Sequence, residues 1–139
     1  MGFEFLDFAT ADVAFRAYGK TLGELFASAG LALFEVMTDT RKVEPRVRKE
    51  IRLEAEDLEE LMFLWLSELL FFVDTEGLLF SEFEVNVRKE GKWVLEAVCS
   101  GERIDPRRHE LRTAVKSPSF HGMKVEKNGE WRALVIVDV

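Results

Sequence analysis

The chain reads as an α+β fold: two helices packed on a mostly antiparallel β-sheet of about six or seven strands, in a single domain spanning 1–139. Three observations predict it. Two segments pair an N-terminal capping signal with apolar residues at helical spacing, around 21–38 and 57–73. From Gly77 onward the apolar pattern switches to period two, the mark of strands. Asn128-Gly129, set between two such runs, is a tight-hairpin signal, because the favoured two-residue turn needs positive φ at both central positions.

In chain order, Phe3, Phe5 and Phe8, then Val13, Phe15 and Ala17, alternate as two short strands joined around Ala9 to Asp12. Thr21-Leu22-Gly23-Glu24 has capping-box form, and Leu22, Leu25, Phe26, Ala29, Leu33, Val36 and Met37 follow it on one helical face. Val47, Ile51, Leu53 and Ala55 alternate with Arg48, Glu50, Arg52 and Glu54, a half-exposed strand. Asp57 caps the second helix, which is apolar nearly all round from Leu61 to Val73 and is therefore central to the core or covered by a partner. Phe80, Phe83, Val85 and Val87 form a strand that turns at Glu90-Gly91-Lys92 into Trp93 to Cys99. Residues 100–118 are the most polar stretch, interrupted by Pro106 and Pro118. Phe120 to Lys127 and Trp131 to Asp138 flank the Asn-Gly turn, and the second, apolar on both faces, reads as an internal strand.

Composition narrows the function. With 47% hydrophobic and 32% charged residues the chain is ordinary for a soluble globular domain. Its longest apolar run, Leu61 to Leu66, is far too short for a membrane span. The N-terminus has no basic region followed by a long apolar stretch, and Leu6 stands where a myristoylation motif wants Ser or Thr. The lone Cys99, read as inert filler in an apolar strand, excludes an internal disulfide and a cysteine-built zinc site. A cytoplasmic protein is expected. The net charge of −7 opposes tight binding to phosphate backbones. The basic clusters at 46–52 and 103–112 read as the solvated side of a strand and a polar loop.

The chemistry-bearing residues are few. Val135-Ile136-Val137-Asp138-Val139 places an acid beside the final carboxylate at the tip of an apolar strand, two negative charges that a cation would relieve. Asp12 sits among small and apolar residues, where a carboxylate needs a partner. If Asp12 and Asp138 meet, the oxygen-only ligand set favours Ca²⁺, Mg²⁺ or Mn²⁺ over zinc. His121, in Lys116-Ser117-Pro118-Ser119-Phe120-His121-Gly122, is a base or ligand by type and a packed, hydrogen-bonded imidazole by default; His109, in the Arg-rich loop, reads as surface. No nucleophile elbow and no phosphate-binding glycine loop occurs.

An ordered set of segments resembles the archease family. It comprises Thr10-Ala11-Asp12, Gly19 with Thr21-Leu22 and Glu24-Leu25-Phe26, Ala32-Leu33-Phe34, Glu54-Ala55-Glu56-Asp57-Leu58-Glu59, and Trp65-Leu66 with Glu68-Leu69-Leu70. It continues through Gly101-Glu102, Asp105, His109, Lys116, Ser119-Phe120-His121 and the closing Val137-Asp138-Val139, so the likeness runs the length of the chain as one archease-like domain. The resemblance implies an accessory protein of tRNA splicing, not itself an enzyme, that promotes guanylylation and turnover of the RtcB-type RNA ligase and can widen its nucleotide use. It also implies a divalent ion, calcium first, held by Asp12, Asp138 and Val139, with Lys116, His121 and Asp57 as contacts to a partner or a phosphate. Two positions depart from the family pattern: Ala9 replaces a histidine, and Phe120 replaces a tyrosine. The competing readings are a small metal-dependent phosphate-ester hydrolase and a general chaperone or adaptor working through the apolar second helix.

Overall fold

The structure, a computed structural model, describes residues 2–6 and 12–139. Of the strand joint expected around Ala9 to Asp12 only Asp12 is described; Phe8, the Thr10-Ala11 half of the motif and the Ala9 departure lie outside the described residues.

Among the described residues, seven strands and two α-helices form three layers. Strands β1 (Gly2–Leu6), β2 (Asp12–Gly19), β7 (Glu130–Asp138) and β6 (Ser117–Asn128) make a four-stranded sheet in the order β1-β2-β7-β6. Strands β3 (Val47–Ala55), β5 (Lys92–Arg103) and β4 (Leu78–Glu90) make a three-stranded sheet in the order β3-β5-β4. Every pairing is antiparallel. Helices α1 (Leu22–Met37) and α2 (Leu58–Glu76) lie between the sheets: α1 packs on β2 and β4, and α2 packs chiefly on β6 and also on β3. The α+β class and single domain are as expected, but the strands divide between two sheets instead of forming one. Alternation shows which side of a strand is apolar; it does not show that two separate apolar faces close on the same helical layer.

That arrangement explains the composition of α2. A helix between two sheets is covered on more than one side, so its apolar stripe widens. Leu61, Met62, Trp65, Leu66, Leu69 and Leu70 are buried, whereas Phe71 is 54% exposed. Trp65 is fully buried and donates its indole N–H to the Phe26 carbonyl at 2.9 Å, fastening α2 to α1. Both caps form as the sequence requires: Thr21 Oγ1 accepts from Glu24 N at 3.1 Å, and Asp57 Oδ1 accepts from Glu60 N at 2.8 Å.

Alternation on the four-stranded sheet assigns its two faces. Val13, Phe15 and Ala17 of β2, with Ala133, Val135 and Val137 of β7, face the helices and belong to the core or pack against it. Asp12, Ala14, Arg16 and Tyr18, with Arg132, Leu134, Ile136 and Asp138, therefore project from the opposite, outer face.

Candidate functional site

The register of β2 against β7 sets Asp12 directly opposite Asp138. Directly opposed residues of an antiparallel pair point to the same face with Cβ atoms about 4.5–5.5 Å apart, so the two carboxylates share one patch. On the other flank of β7, Ser117 is also opposite Asp138 and donates its hydroxyl to Asp138 Oδ2 at 3.4 Å. The Lys116 amide donates to the Asp138 carbonyl at 2.8 Å, holding the start of β6 against the end of β7. Asp12, Asp138 and Val139 are half-buried. Like charges placed directly opposite repel, and among the described residues no Lys or Arg forms an ion pair with either acid. Two carboxylates and a hydroxyl form an oxygen-only donor set, the chemistry that Ca²⁺, Mg²⁺ and Mn²⁺ accept. Among the described residues no cluster of three or more His, Cys, Asp or Glu gathers here or elsewhere, so further ligands would come from main-chain oxygen, hydroxyl or water.

The other sequence-derived candidates fall in different places. Lys116 is exposed and adjoins the acid pair through its main chain. His121 lies in an irregularity of β6, between Ser119 (opposite Ile136) and Lys124 (opposite Leu134). Gly122, at φ +83, supplies the left-handed conformation this bulge needs, and Phe120 and His121 beside it are both exposed. Phe120 is 53% exposed and meets Phe63 of α2 edge to face at 5.5 Å, so its ring is seated without a phenolic hydroxyl. Asp57 is the exposed cap of α2. Glu59 in the same turn accepts from Val125 N at 2.9 Å, and Val125 pairs with Ala133, five residues along β7 from Asp138. At about 3.4 Å per residue that is about 17 Å from the acid pair, so Asp57 does not belong to it.

The two histidines exchange the surroundings read from sequence. His121 is exposed, and no hydrogen bond reaches its ring among the described residues. His109 is only 3% exposed: its Nδ1 accepts from the Asp105 amide at 2.9 Å, so the proton sits on Nε2, 3.1 Å from Glu102 Oε2. Glu102 is itself buried and accepts from Glu44 N at 2.7 Å and from Arg108. Burial pushes its carboxyl pKa upward, but the hydrogen bonds from Glu44, His109 and Arg108 outweigh that and hold it below the usual range. A second clamp joins Arg112 to the Glu35 carboxylate at 2.9 Å, while Thr38 donates to the Glu110 carbonyl at 2.7 Å. Residues 104–116, irregular as expected, are thereby pinned along the end of α1 and delivered to the acid pair at Lys116. Charge composition concealed this hub; the signal available was an Asp and a His four residues apart, beyond a strand whose penultimate residue is Glu102.

Comparison with known proteins places the chain. Residues 3–139 match the archease protein family (MTH1598/TM1083). Protein archease of Sulfurisphaera tokodaii is 46% identical over 135 residues, covering 97% of this chain and 96% of that one. Protein archease of Pyrococcus furiosus is 43% identical over 133 residues, covering 94% of each. The solution structure of Methanobacterium thermoautotrophicum protein 1598 superposes with a TM-score of 0.86 at 44% identity, covering 99% of this chain and 98% of that one. The chain belongs to the archease family. Among the described residues no helix is long and apolar enough to cross a membrane.

Proposed function

We propose that this protein is a non-enzymatic accessory factor that activates an RtcB-type RNA ligase by promoting its guanylylation, presenting a divalent cation bound by Asp12, Asp138 and a main-chain oxygen of Val139. The observation that carries the reading is the register that opposes Asp12 and Asp138 on the outer face of the sheet, in a chain of this family. The ion, calcium first and magnesium or manganese otherwise, would neutralise the acid pair and offer a Lewis-acidic centre with open positions. The chain's own residues hold the two carboxylates in register, seat Ser117 beside them through the pinned 104–116 segment, and place Lys116 and His121 at the rim for contact with phosphate or partner.

Charge supports action on the ligase and not on free RNA. A net charge of −7 repels a phosphate backbone, whereas a ligase's basic, phosphate-seeking cleft is complementary to an acidic partner. The test is guanylylation of the ligase by GTP with and without this protein, in the presence and absence of chelator. Asp138→Ala is expected to abolish stimulation while leaving the urea unfolding curve nearly unchanged, and stimulation is expected to weaken as salt rises. Normal activation by Asp138→Ala, or RNA binding by the isolated protein at micromolar affinity in physiological salt, overturns the proposal.

A further inference from the structure

Beyond the acid pair, the outer face of the four-stranded sheet carries a second feature. Two cross-strand rows follow from the register: Glu4, Arg16, Leu134 and Lys124 in one, and Tyr18, Arg132 and Glu126 in the next. Arg16, Lys124, Glu126, Arg132, Ala133 and Leu134 line a groove of about 170 Å³. Leu134 is four residues along β7 from Asp138, which puts the nearer row about 13–14 Å from the acid pair, with Ala14 and Ile136 between.

The charges in these rows do not cancel. Glu4 is paired with Arg16 at 3.5 Å, and Glu126 is paired with Lys124 at 3.4 Å. Arg132, although it stands opposite Glu126, forms no ion pair among the described residues; its guanidinium lies over the Tyr18 ring at 5.8 Å from the centroid. Its Nε–H is shut off from water and has no acceptor, alone among the buried side-chain polar atoms of the described residues. A guanidinium donor that has neither a carboxylate nor water calls for a physical explanation.

We infer that this groove is an oxyanion site for a terminal phosphate, with Arg132 as its anchor and Arg16 and Lys124 as flanking cations. The Nε–H is enclosed, so an anion meets the guanidinium at its two terminal nitrogens, whose N–H groups form a planar fork that phosphate oxygens accept in pairs. The groove is smaller than the range typical of organic-ligand pockets, which suits a compact anion and gives no room for a base. A terminal phosphate brings three free oxygens to a partly enclosed donor; a diester phosphate, flanked by two sugars, cannot approach it as closely. The occupant is therefore a phosphate monoester or the end of a polyphosphate tail, not the RNA backbone. The inference stands independently of ligase activation, because its readout is binding to the isolated protein.

The experiment follows the arginine Nε–H signals of ¹⁵N-labelled protein by NMR while inorganic pyrophosphate is added at low ionic strength with chelator present, which keeps metal out of the acid pair. The Arg132 Nε–H signal is expected to shift and saturate. Arg132→Gln is expected to weaken binding about tenfold or more, as loss of a charge-assisted hydrogen bond does. Lys124→Gln, at an exposed position that cannot disturb the core, is expected to weaken it in the same direction. Lys89→Gln, the same charge loss on the other sheet, is expected to leave it unchanged. An unmoved Arg132 signal overturns the site, as does equal weakening by Lys89→Gln and Lys124→Gln. An RNA oligonucleotide with hydroxyl ends that competes better than pyrophosphate at equal phosphate concentration overturns the terminal-phosphate assignment.

Discussion

Replacing Glu102 by alanine tests whether the 104–116 segment is held by a buried ionic hub. The side chain receives hydrogen bonds from Glu44 N at 2.7 Å, from His109 Nε2 at 3.1 Å and from Arg108. Arg108 has a side chain 44% exposed and turns to water when the carboxylate is removed. The His109 ring, by contrast, is enclosed: its Nε2–H loses its acceptor, and the ring cannot rotate without giving up the Asp105 amide on Nδ1. A buried donor left unmade costs about 1–3 kcal/mol, and a hydrogen bond to a charged group contributes about 1.5–3 kcal/mol; with the Glu44 amide and the His109 Nε2–H both losing the carboxylate, Glu102→Ala is expected to lose about 3–5 kcal/mol. Domains of this size are stable by only about 5–15 kcal/mol, which leaves the variant marginal. Glu102→Gln keeps one carbonyl oxygen for His109 but sets an amide against the other donors, for an expected loss of about 1–3 kcal/mol. Urea unfolding followed by tryptophan fluorescence measures both. In a double-mutant cycle with His109→Ala the coupling is expected at about 1.5–3 kcal/mol. A loss under about 1 kcal/mol for Glu102→Ala, or strict additivity with His109→Ala, would refute the hub.

Three further outcomes are expected. Arg41 holds the Asp39 carboxyl at about 2 against an ordinary 3.8, and Glu35 and Glu102 are also lowered, in each case because hydrogen bonds from Thr40 and Arg112, or from Glu44, His109 and Arg108, outweigh burial. Depressed carboxylates contribute stability above their unfolded pKa and lose it on protonation, so the urea midpoint is expected to fall steadily as pH drops from about 4.5 toward 2; a midpoint flat over that window refutes the assignment. Gly101→Ala is expected to prevent folding or cost several kcal/mol, because a Cβ there overlaps the Leu79 carbonyl oxygen, whereas Gly2→Ala, with open space around it, is expected to be near neutral; comparable melting temperatures for the two variants contradict this. Asp12→Asn is expected to stabilise the protein in chelator by about 0.2–1 kcal/mol, through relief of the like-charge pair, yet to lack the stabilisation expected from Ca²⁺ in the wild type, about 2.7 kcal/mol at a hundredfold excess over the dissociation constant. Thermal melts with and without calcium read the crossing, and parallel curves for the two proteins count against a shared ion.

Local signals in the sequence were reliable where one residue's chemistry determines the backbone. The caps at Thr21 and Asp57 start both helices, and the Asn128-Gly129 hairpin forms; the expected positive φ at both positions does not, since only Gly129 takes it (+82) and Asn128 pairs with Glu130 as part of the strand. Boundaries extended where cross-strand pairing sustains a strand past its apolar run, as in β5, which β3 pairs as far as Gly101 and β4 as far as Arg103. The division into two sheets was not legible, since period two assigns faces without assigning partners. Nor was the burial of His109: its neighbours Arg107 and Arg108 are exposed and advertised a surface loop, while the ring turns inward to Glu102. Asp138 stood out because an acid closing an apolar strand is anomalous, and Asp12 because its neighbours are small and apolar; that they oppose each other is a property of register, which no single segment contains.

The same alternation separates what stabilises this sheet from what it offers to a ligand. Val13 and Val137, the immediate neighbours of Asp12 and Asp138, pair with each other on the helix side, where Val137 is fully buried. Each acid therefore shares a strand with a core residue but not a face, and its side chain can be removed without opening a cavity. The repulsion between the two carboxylates opposes folding slightly and is retained beside a core that tolerates it. This is why Asp138→Ala is expected to divide the two properties, ligand binding lost and folding kept, while Val137→Ala, one residue away, is expected to do the reverse and destabilise the sheet through its buried side. If both substitutions lowered stability alike, the acid pair would be part of the structural framework, and its place on the outer face would need a different explanation.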